Sequence, residues 1–248
     1  MIKALIVDDE PSAVNTLQLM LERYIPEISN LRSTNDAQEA VLLIRDFQPD
    51  LVFLDIQMPV LNGFELLKKI GNIRFDIIFT TAHDQYAIQA IRFSALDYLL
   101  KPIDADELRA AFEKFMRRRM ATVGNQPLYQ NLLYNINAGD KNEFKLAVPT
   151  SEGTFFYFPH EILRLEGESN YTRFFFTGKK PLLVSKTLKE YEEILSEHGF
   201  IRVHKSHLIN KAHVQTYTPD GHLILADQSR IEISRRRKEE VMEALKRK

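Results

Sequence analysis

The sequence predicts two domains of different fold classes, an α/β domain over residues 1–120 and a mostly β domain over residues 144–248. Three observations lead to this prediction. In the first part, short uncharged apolar runs alternate with amphipathic stretches, which is typical of a doubly wound parallel sheet. Residues 121–143 are polar and rich in turn-forming residues, so we expect a linker there. After residue 143, short strand-like runs follow one another with turns between them.

The first domain is expected to contain five strands that alternate with helices. The predicted strands are Lys3–Val7, Leu31–Thr34, Leu51–Leu54, Ile77–Thr80 and Asp97–Leu100. Amphipathic stretches between them include Pro11–Tyr24, Ala37–Phe47 and Gly63–Ile70. The last helix is predicted to begin after Asp104, a suitable N-cap residue with Glu107 three positions later, and to end near Met120.

The linker and the second domain lack the alternation of strands and helices that is predicted for the first domain. Apolar linker residues that could dock onto a domain are Leu128, Leu132, Leu133 and Ile136. Predicted strands of the second domain are Phe144–Val148, Thr154–Phe158, Ile162–Glu166, Tyr171–Thr177, Pro181–Ser185, Ser206–Ile209, Val214–Thr218, His222–Ala226 and Arg230–Ser234. Helices are expected at Lys186–His198 and Arg235–Arg247, and Asp220-Gly221 is typical of a hairpin turn.

Composition is that of a globular protein. The chain has 248 residues, 44% of them hydrophobic and 27% charged, which is enough apolar material for two cores. It has no cysteine, which excludes disulfides and thiolate metal sites. We see no signal-peptide layout and no apolar stretch near the ~18 residues that a membrane span needs. We therefore expect a cytoplasmic protein with no membrane partner.

Charge is divided unevenly between the two halves. Residues 1–116 carry 11 Lys and Arg against 18 Asp and Glu, whereas residues 117–248 carry 22 against 16. An acidic first half and a basic second half indicate different partners for each. Ordinary scatter of surface charge is the alternative explanation.

Three acids and one lysine fall at the ends of predicted strands. Asp55 ends the run from Leu51, Asp8 and Asp9 follow another apolar run, and Lys101 follows Leu100. In open α/β sheets the carboxyl ends of the strands bind ligands. Mg²⁺ prefers hard oxygen ligands, and an aspartate can carry a phosphoryl group once a cation neutralises the incoming charge. The pattern therefore predicts a site for a divalent cation and a phosphoryl group, with Asp55 as phosphoacceptor.

Each residue of this predicted site has an expected role. Asp9, Asp55 and the backbone carbonyl of Gln57 would bind Mg²⁺, and Asp8 would hold one of its waters. Lys101 would pair with the phosphoryl oxygens as a point charge, and Thr81 could offer them its hydroxyl. The alternative is that these acids merely cap the helices that follow them.

Residues 1–120 resemble a response-regulator receiver domain. The matching motifs are Val7-Asp8-Asp9-Glu10, Phe53-Leu54-Asp55-Ile56-Gln57-Met58-Pro59, Asn62-Gly63-Phe64, Thr80-Thr81-Ala82 and Asp97-Tyr98-Leu99-Leu100-Lys101-Pro102. The resemblance implies a (βα)5 flavodoxin-like fold, phosphoryl transfer from a sensor histidine kinase to Asp55, and Thr81 and Tyr98 as a switch pair. Gln57 stands where this family commonly has Asn, but its backbone carbonyl would still serve.

Residues 144–248 resemble the LytTR DNA-binding domain. The matching motifs are Leu165-Glu166-Gly167-Glu168-Ser169-Asn170-Tyr171, Ser185-Lys186-Thr187-Leu188, Phe200-Ile201-Arg202-Val203-His204-Lys205-Ser206-His207-Leu208-Ile209-Asn210 and Ile233-Ser234-Arg235-Arg236. This family implies a mostly β fold that sends loops, not a recognition helix, into successive major grooves.

The same resemblance implies which residues contact DNA. Asn170 would enter the groove from the first loop, His204 and Lys205 from the second, and Arg236 from the third, with Arg235 as a neighbour that could share the role. Weaker candidates for phosphate contacts are Arg173, Lys186 and Arg202. The family-typical Asn210 could instead be structural. His204 and His207 could be a metal pair, but no third ligand is evident in the sequence.

The combined pattern predicts a response regulator and sequence-specific transcription factor that phosphorylation of Asp55 switches. The face formed by Ile88–Arg92, Asp97–Leu100 and the helix after Asp104 would favour a homodimer on activation, which would bind paired direct-repeat half-sites on double-stranded DNA.

One alternative is a receiver-controlled module that binds protein or RNA without duplex DNA specificity. An enzymatic output domain ranks last, because we find no catalytic acid pair, nucleophile triad or phosphate loop in residues 144–248; the chain is expected not to be an enzyme.

Overall fold

The computed structural model describes residues 1–82, 91, 94, 97–120, 126–138 and 143–246. The chain divides into two compact units, Met1–Asn137 and Ala138–Lys248. The predicted helix Ile88–Arg92 falls outside the described residues except at Ile91, which is helical and buried. Among the described helices, none is both long and apolar enough to cross a membrane.

A five-stranded parallel sheet forms the centre of the first unit. Its strands are β1 (Ile2–Val7), β2 (Ile28–Thr34), β3 (Leu51–Asp55), β4 (Asp76–Thr81) and β5 (Asp97–Leu100). They lie in the order β2-β1-β3-β4-β5, and every neighbouring pair is parallel. All of β3 is buried, as expected of a strand that is covered on both faces. The predicted doubly wound fold of this half is therefore confirmed.

Helices connect and cover this sheet. They are α1 (Pro11–Tyr24), α2 (Ala37–Phe47), α3 (Gly63–Ile70), α4 (Ala105–Met120) and α5 (Gln126–Asn137). α1 and α4 share one core with β1 and β3, where Leu17 and Phe115 are almost fully buried. Because the strand order reverses between β1 and β3, the carboxyl ends of these two strands border the crevice at which such sheets bind ligands.

The segment expected to be a linker contains the helix α5, which packs onto the first unit. Tyr129 is 2% exposed, and its hydroxyl accepts a hydrogen bond of 2.9 Å from the backbone N–H of Ile77. Leu128 and Leu132 are buried, in line with the apolar pattern that suggested docking. The first compact unit consequently extends to Asn137 and includes α5.

The second unit is mostly β, as predicted. A five-stranded antiparallel sheet has the order β10-β9-β8-β12-β11, a three-stranded one the order β13-β14-β15, and β6 pairs with β7. The strands are β6 (Leu146–Thr150), β7 (Gly153–Tyr157), β8 (Ile162–Glu168), β9 (Tyr171–Phe176), β10 (Leu182–Val184), β11 (Phe200–His204), β12 (His207–Asn210), β13 (Val214–Tyr217), β14 (His222–Leu225) and β15 (Arg230–Glu232). The helices are α6 (Leu188–Leu195) and α7 (Lys238–Lys246).

Two features of this unit differ from the sequence-based expectation. β11 was not predicted as a strand, because Arg202 and His204 interrupt its apolar residues. The residues Arg235–Arg237 form a 3-10 turn before α7, so the helix begins later than predicted. The expected Asp220-Gly221 hairpin turn joins β13 to β14, with Gly221 at a φ of 89° that favours glycine.

Removing the hydroxyl that docks α5 should destabilise the first unit. Tyr129→Phe leaves the buried N–H of Ile77 without its acceptor, which should lower the free energy of unfolding by about 1–3 kcal/mol. Chemical denaturation of the full chain measures this. Tyr24→Phe is the matched control, because the hydroxyl of Tyr24 makes no hydrogen bond within the described ranges. Equal stability of the two variants would show that the Tyr129 hydrogen bond does not hold α5.

Candidate functional site

Asp55 lies at the carboxyl end of β3 and is 4% exposed. One carboxylate oxygen, Oδ1, accepts a hydrogen bond of 3.2 Å from the N–H of Gln57, and the other, Oδ2, lies 2.7 Å from the Lys101 ammonium. The backbone N–H of Ile56 donates to the Thr80 carbonyl on β4, which holds the turn after Asp55 against the neighbouring strand. The carboxylate is thus fixed at the sheet edge rather than free in solvent.

A second buried carboxylate shares the same lysine. Asp8, 2% exposed, lies 2.8 Å from the Lys101 ammonium and accepts a hydrogen bond from the N–H of Glu10. Burial raises the pKa of Asp8, and the hydrogen bond from Lys101 offsets only part of that rise. Burial alone would lower the pKa of Lys101, but its hydrogen bonds to Asp55 and Asp8 outweigh burial and raise it. One protonated lysine therefore pairs with two buried carboxylates and cannot neutralise both.

Asp9 brings a third carboxylate to this cluster and is more exposed than the other two. Carboxylate oxygens of Asp8, Asp9 and Asp55 all lie within 4.8 Å of one another, the one grouping with metal-ligand spacing among the residues described. The three carboxylates outnumber the single lysine beside them, and their hard oxygens are the ligands that Mg²⁺ prefers. The helix-capping alternative is not supported for Asp9, because the N-cap residue of α1 is Glu10 and no side chain caps that end.

Thr81 and Tyr98 lie on the two strands beyond Asp55. Thr81, at the end of β4, is fully buried, and its hydroxyl has no hydrogen-bond partner among the described residues. A buried hydroxyl without a partner is unfavourable unless a ligand or water satisfies it. The Thr81 carbonyl accepts a hydrogen bond of 2.9 Å from the N–H of Lys101, so these two residues end adjacent strands. Tyr98 is half-buried on β5, opposite Phe79.

In the second unit, three of the predicted DNA-contacting residues line one cleft of about 790 Å³. His204 ends β11 and Lys205 follows it in the turn to β12, whereas Arg236 comes from the turn before α7. The backbone joins these two turns, since the N–H of Ser234 donates to the Val203 carbonyl at 2.9 Å. The remaining two candidates lie elsewhere on the surface of this unit. Asn170 is exposed in the β8–β9 turn, and Arg235 is exposed beside Arg236 but does not line the cleft.

Comparison with known proteins follows the same division of the chain. A family model for the response regulator receiver domain matches residues 4–113, and one for the LytTr DNA-binding domain matches residues 152–246. Sensory transduction protein LytT of Bacillus subtilis is 31% identical over 241 residues, which are 95% of each chain. The chain belongs to the LytTR family of response regulators. Transcriptional regulatory protein LytR of Staphylococcus aureus is 32% identical over 217 residues, 86% of this chain and 85% of that one.

Among solved structures, the N-terminal domain of a protein from Wolinella succinogenes is 30% identical over 50% of this chain and 100% of that chain, with a TM-score of 0.43. The two family models and the two relatives confirm the resemblance of this response regulator to a receiver and a LytTR domain. Its acidic cluster lies in the part matched by the receiver model, and its cation-lined cleft lies in the part matched by the LytTr model.

Two arginines of the LytTR unit, considered from the sequence as phosphate contacts, make their hydrogen bonds inside the protein. Arg173 donates from two nitrogens to the Glu168 carboxylate, at 2.6 and 3.0 Å. Arg202 donates to Glu192 at 2.8 Å and to carbonyls of the β11–β12 turn. Burial lowers the pKa of Arg202, and Arg237 nearby acts in the same direction. The partners are near in sequence, but which of the neighbouring acids and carbonyls each arginine contacts depends on the folded turns, so the sequence motifs did not reveal these contacts.

Asn210 has a structural role in the LytTR unit. It is 3% exposed, and its amide nitrogen donates to the carbonyls of Pro159 and Ile162, each at 3.1 Å. Its amide oxygen accepts from the N–H of Ala212. All its hydrogen bonds therefore fix loops around β12. The proposed metal pair of His204 and His207 has no acidic, histidine or cysteine third ligand with suitable spacing in the described part of the chain.

Gly63 is a site residue that the sequence motif contained but did not explain. It is the first residue of α3, and its N–H donates to the Ile56 carbonyl at 3.0 Å. A Cβ at this position would lie 2.4 Å from the Asp55 carbonyl oxygen, closer than such atoms can approach. Glycine is therefore required for the helix to start directly against the strand that carries Asp55.

Gly63→Ala should displace the backbone of Asp55 and reduce its phosphorylation. Overpacking of this kind should cost about 1–3 kcal/mol of unfolding free energy. Gly71→Ala is the control for lost stability, because Gly71 has a φ of 72° but open space around it, so alanine there adds about 1–3 kcal/mol of backbone strain without touching Asp55. Labelling by acetyl phosphate should fall in the first variant only. An equal loss in both would contradict the role assigned to Gly63.

Proposed function

We propose that this response regulator accepts a phosphoryl group on Asp55 from a sensor histidine kinase and thereby controls the binding of its LytTR unit to double-stranded DNA. The observation that carries the proposal is the Asp55 carboxylate itself. It is buried at the sheet edge, paired with Lys101, and accompanied by Asp8 and Asp9. This arrangement concentrates negative charge where a cation and a phosphoryl group would meet.

Mg²⁺ fits the residues of this site. Asp9, Asp55 and the carbonyl of Gln57 would bind it, with Asp8 holding a water or an oxygen contact. When bound, the ion would supply positive charge against the phosphoryl oxygens. The excess of carboxylates over lysine in the cluster and the hard character of these oxygens support this assignment.

In the phosphoryl transfer, an oxygen of Asp55 bonds to phosphorus as the bond from phosphorus to the kinase histidine breaks. The electron pair of that bond returns to the imidazole nitrogen, which then takes a proton. Lys101 already donates to Asp55 and Asp8, so it can donate to a phosphoryl oxygen with little movement. The Thr81 hydroxyl, which has no partner among the described residues, gains an acceptor in the phosphoryl group.

The switch uses Thr81 and Tyr98 to convey phosphorylation to the β5 face. Movement of Thr81 toward the phosphoryl group vacates space at the end of β4, and the half-buried Tyr98 ring on the next strand can turn inward. The change favours a homodimer through the face that includes β5, where Leu100 is 37% exposed. A dimer presents two LytTR units to paired direct-repeat half-sites.

The LytTR unit contacts DNA through Asn170, His204, Lys205 and Arg236, with Arg235 as a possible neighbour contact. All five are partly or fully exposed, and three share the cleft between two turns. Arginine and lysine can neutralise phosphates, while histidine, asparagine and arginine can also reach base edges. Because several phosphates are neutralised, binding should weaken strongly with salt. Weak salt dependence and no duplex selectivity would instead indicate a protein or RNA partner.

Acetyl phosphate with Mg²⁺ should label the wild-type chain on Asp55. Asp55→Asn should remain unlabelled, and leaving out Mg²⁺ should also abolish labelling of the wild type. Asp36→Asn is the matched control: the same exchange is made at an exposed helix N-cap, where asparagine caps as well as aspartate does. Phosphate incorporation, measured by intact mass, decides the outcome. Equal labelling of Asp55→Asn and the wild type would place the phosphoacceptor elsewhere.

Arg236→Ala should weaken binding to a duplex that the wild-type chain selects from a random pool, by about 1–3 kcal/mol if Arg236 contacts a base edge. Lys238→Ala is the control, because it removes the same charge from an exposed residue two positions after Arg236. It measures the loss of affinity that comes from charge alone. The ratio of affinities for the selected and a shuffled duplex should fall only in the first variant. If both variants lose affinity equally for both duplexes, Arg236 does not read sequence.

A further inference from the structure

One hydrogen-bond network connects the two turns that line the cleft of the LytTR unit. At its centre is Arg202 on β11, whose side chain is 12% exposed. Its Nε donates to the His204 carbonyl at 2.7 Å, and its Nη2 donates to the Lys205 carbonyl. The guanidinium thus holds the backbone of the turn that presents His204 and Lys205.

Glu192 on α6 ties this turn to the second one. Its Oε2 accepts a hydrogen bond of 2.8 Å from Nη1 of Arg202, and its Oε1 lies 3.7 Å from Nη1 of Arg237. Arg237 follows Arg236 directly and also donates to the Arg202 carbonyl at 3.5 Å. The Glu192 carboxylate consequently bridges two arginines that belong to the two DNA-contacting turns.

Glu192 is an acid in a cleft lined mainly by cations. Lys189, Lys205 and Arg236 form a set of cations suited to phosphate, and one further acid, Glu240, lies 3.7 Å from Arg237 but is not among the partners of Arg202. A carboxylate among them repels DNA and lowers affinity if its only effect is electrostatic. Its two arginine partners indicate instead that it organises the cleft, because an arginine–carboxylate pair fixes geometry as well as charge.

The hydrogen bonds of the Arg202 side chain are also made within the protein. Each of its three guanidinium nitrogens donates to an acceptor of the chain, namely Glu192 or a turn carbonyl. Three of its five N–H groups are used in this way, so only two are left for a contact to a DNA phosphate. Its limited exposure points the same way.

We propose that Glu192 and Arg202 are positioning residues that fix the His204–Lys205 turn and the Arg235–Arg237 turn relative to each other without contacting DNA. The inference rests on the proposed DNA-binding function of this unit. According to this inference, recognition of the DNA sequence depends on two residues that do not themselves contact a base.

The decisive variant is Glu192→Ala, tested in the full chain. The probes are a duplex that the wild-type chain selects from a random pool and a shuffled duplex of the same composition. Affinity for the selected duplex should fall about tenfold or more, since a hydrogen bond to a charged group contributes a factor of that order. Affinity for the shuffled duplex should stay equal or rise, because a negative charge has been removed. Glu239→Ala, which removes an exposed carboxylate that makes none of these contacts, should not reduce affinity for the selected duplex.

Glu192→Gln separates the hydrogen bond from the charge, because glutamine keeps an acceptor for Arg202 but loses the negative charge. Its affinity for the selected duplex should lie between those of the wild type and Glu192→Ala. If both variants bind both duplexes more tightly than the wild type, Glu192 acts only through its charge and the proposal is wrong. Far-UV circular dichroism and unfolding midpoints check that the compared variants are folded.

Arg202→Lys distinguishes positioning from phosphate contact. Lysine keeps the positive charge but cannot reach three acceptors at once. We expect the selectivity for the selected duplex to be lost while the salt dependence of binding keeps its slope. Retained selectivity in Arg202→Lys, with a slope reduced by about one in Arg202→Ala, would identify Arg202 as a phosphate contact and overturn the proposal.

These outcomes separate the inference from the function on which it rests. If the wild-type chain selects no duplex at all, the proposed DNA-binding function fails. If it selects one and Glu192→Ala keeps the same ratio of affinities, the function stands and only the positioning role is removed.

Discussion

The shared ion pair of Lys101 with Asp8 and Asp55 is the interaction on which the rest of the receiver unit depends. Two buried carboxylates lie 2.8 and 2.7 Å from one ammonium, and Asp9 adds a third acid within 4.8 Å. One lysine cannot neutralise this cluster, and burial makes each uncompensated charge costly. The fold therefore maintains a deficit of positive charge at one edge of its sheet. A bound divalent cation would relieve that deficit, and the proposed phosphoryl transfer to Asp55 depends on such an ion.

The parallel sheet is what brings these residues together. Asp55 and Lys101 are 46 positions apart in sequence, and they meet because β3, β4 and β5 end at the same edge. Gly63 lets α3 begin directly against the Asp55 backbone. In the LytTR unit the candidate DNA-contacting side chains lie at turns instead of a regular sheet edge. We propose that the arginine–carboxylate contacts of Arg202 and Arg237 with Glu192 hold those turns in place.

Much of this arrangement could be predicted from the sequence, because local patterns determine it. Apolar runs ending in acids or lysine gave the strands, their parallel arrangement and the residues of the acidic cluster. Helix α5 was harder, since Asn131 and Asn135 are turn-forming residues on a surface but here are buried and donate to the Ser94 hydroxyl. The internal hydrogen bonds of Arg202 were not predicted either. A cationic residue in a basic motif looks like a phosphate contact until the folded turn shows that its donors face Glu192 and two carbonyls of the chain.

The proposed function requires that phosphorylation of Asp55 change the affinity of the LytTR unit for DNA, and this coupling can be measured. The affinity of the full chain for a selected duplex should be measured with and without acetyl phosphate and Mg²⁺, for the wild type and for Asp55→Asn. We predict that phosphorylation tightens binding of the wild type and leaves the variant unchanged. An unchanged affinity of the phosphorylated wild type, or an equal gain in Asp55→Asn, would contradict the proposal that Asp55 controls DNA binding.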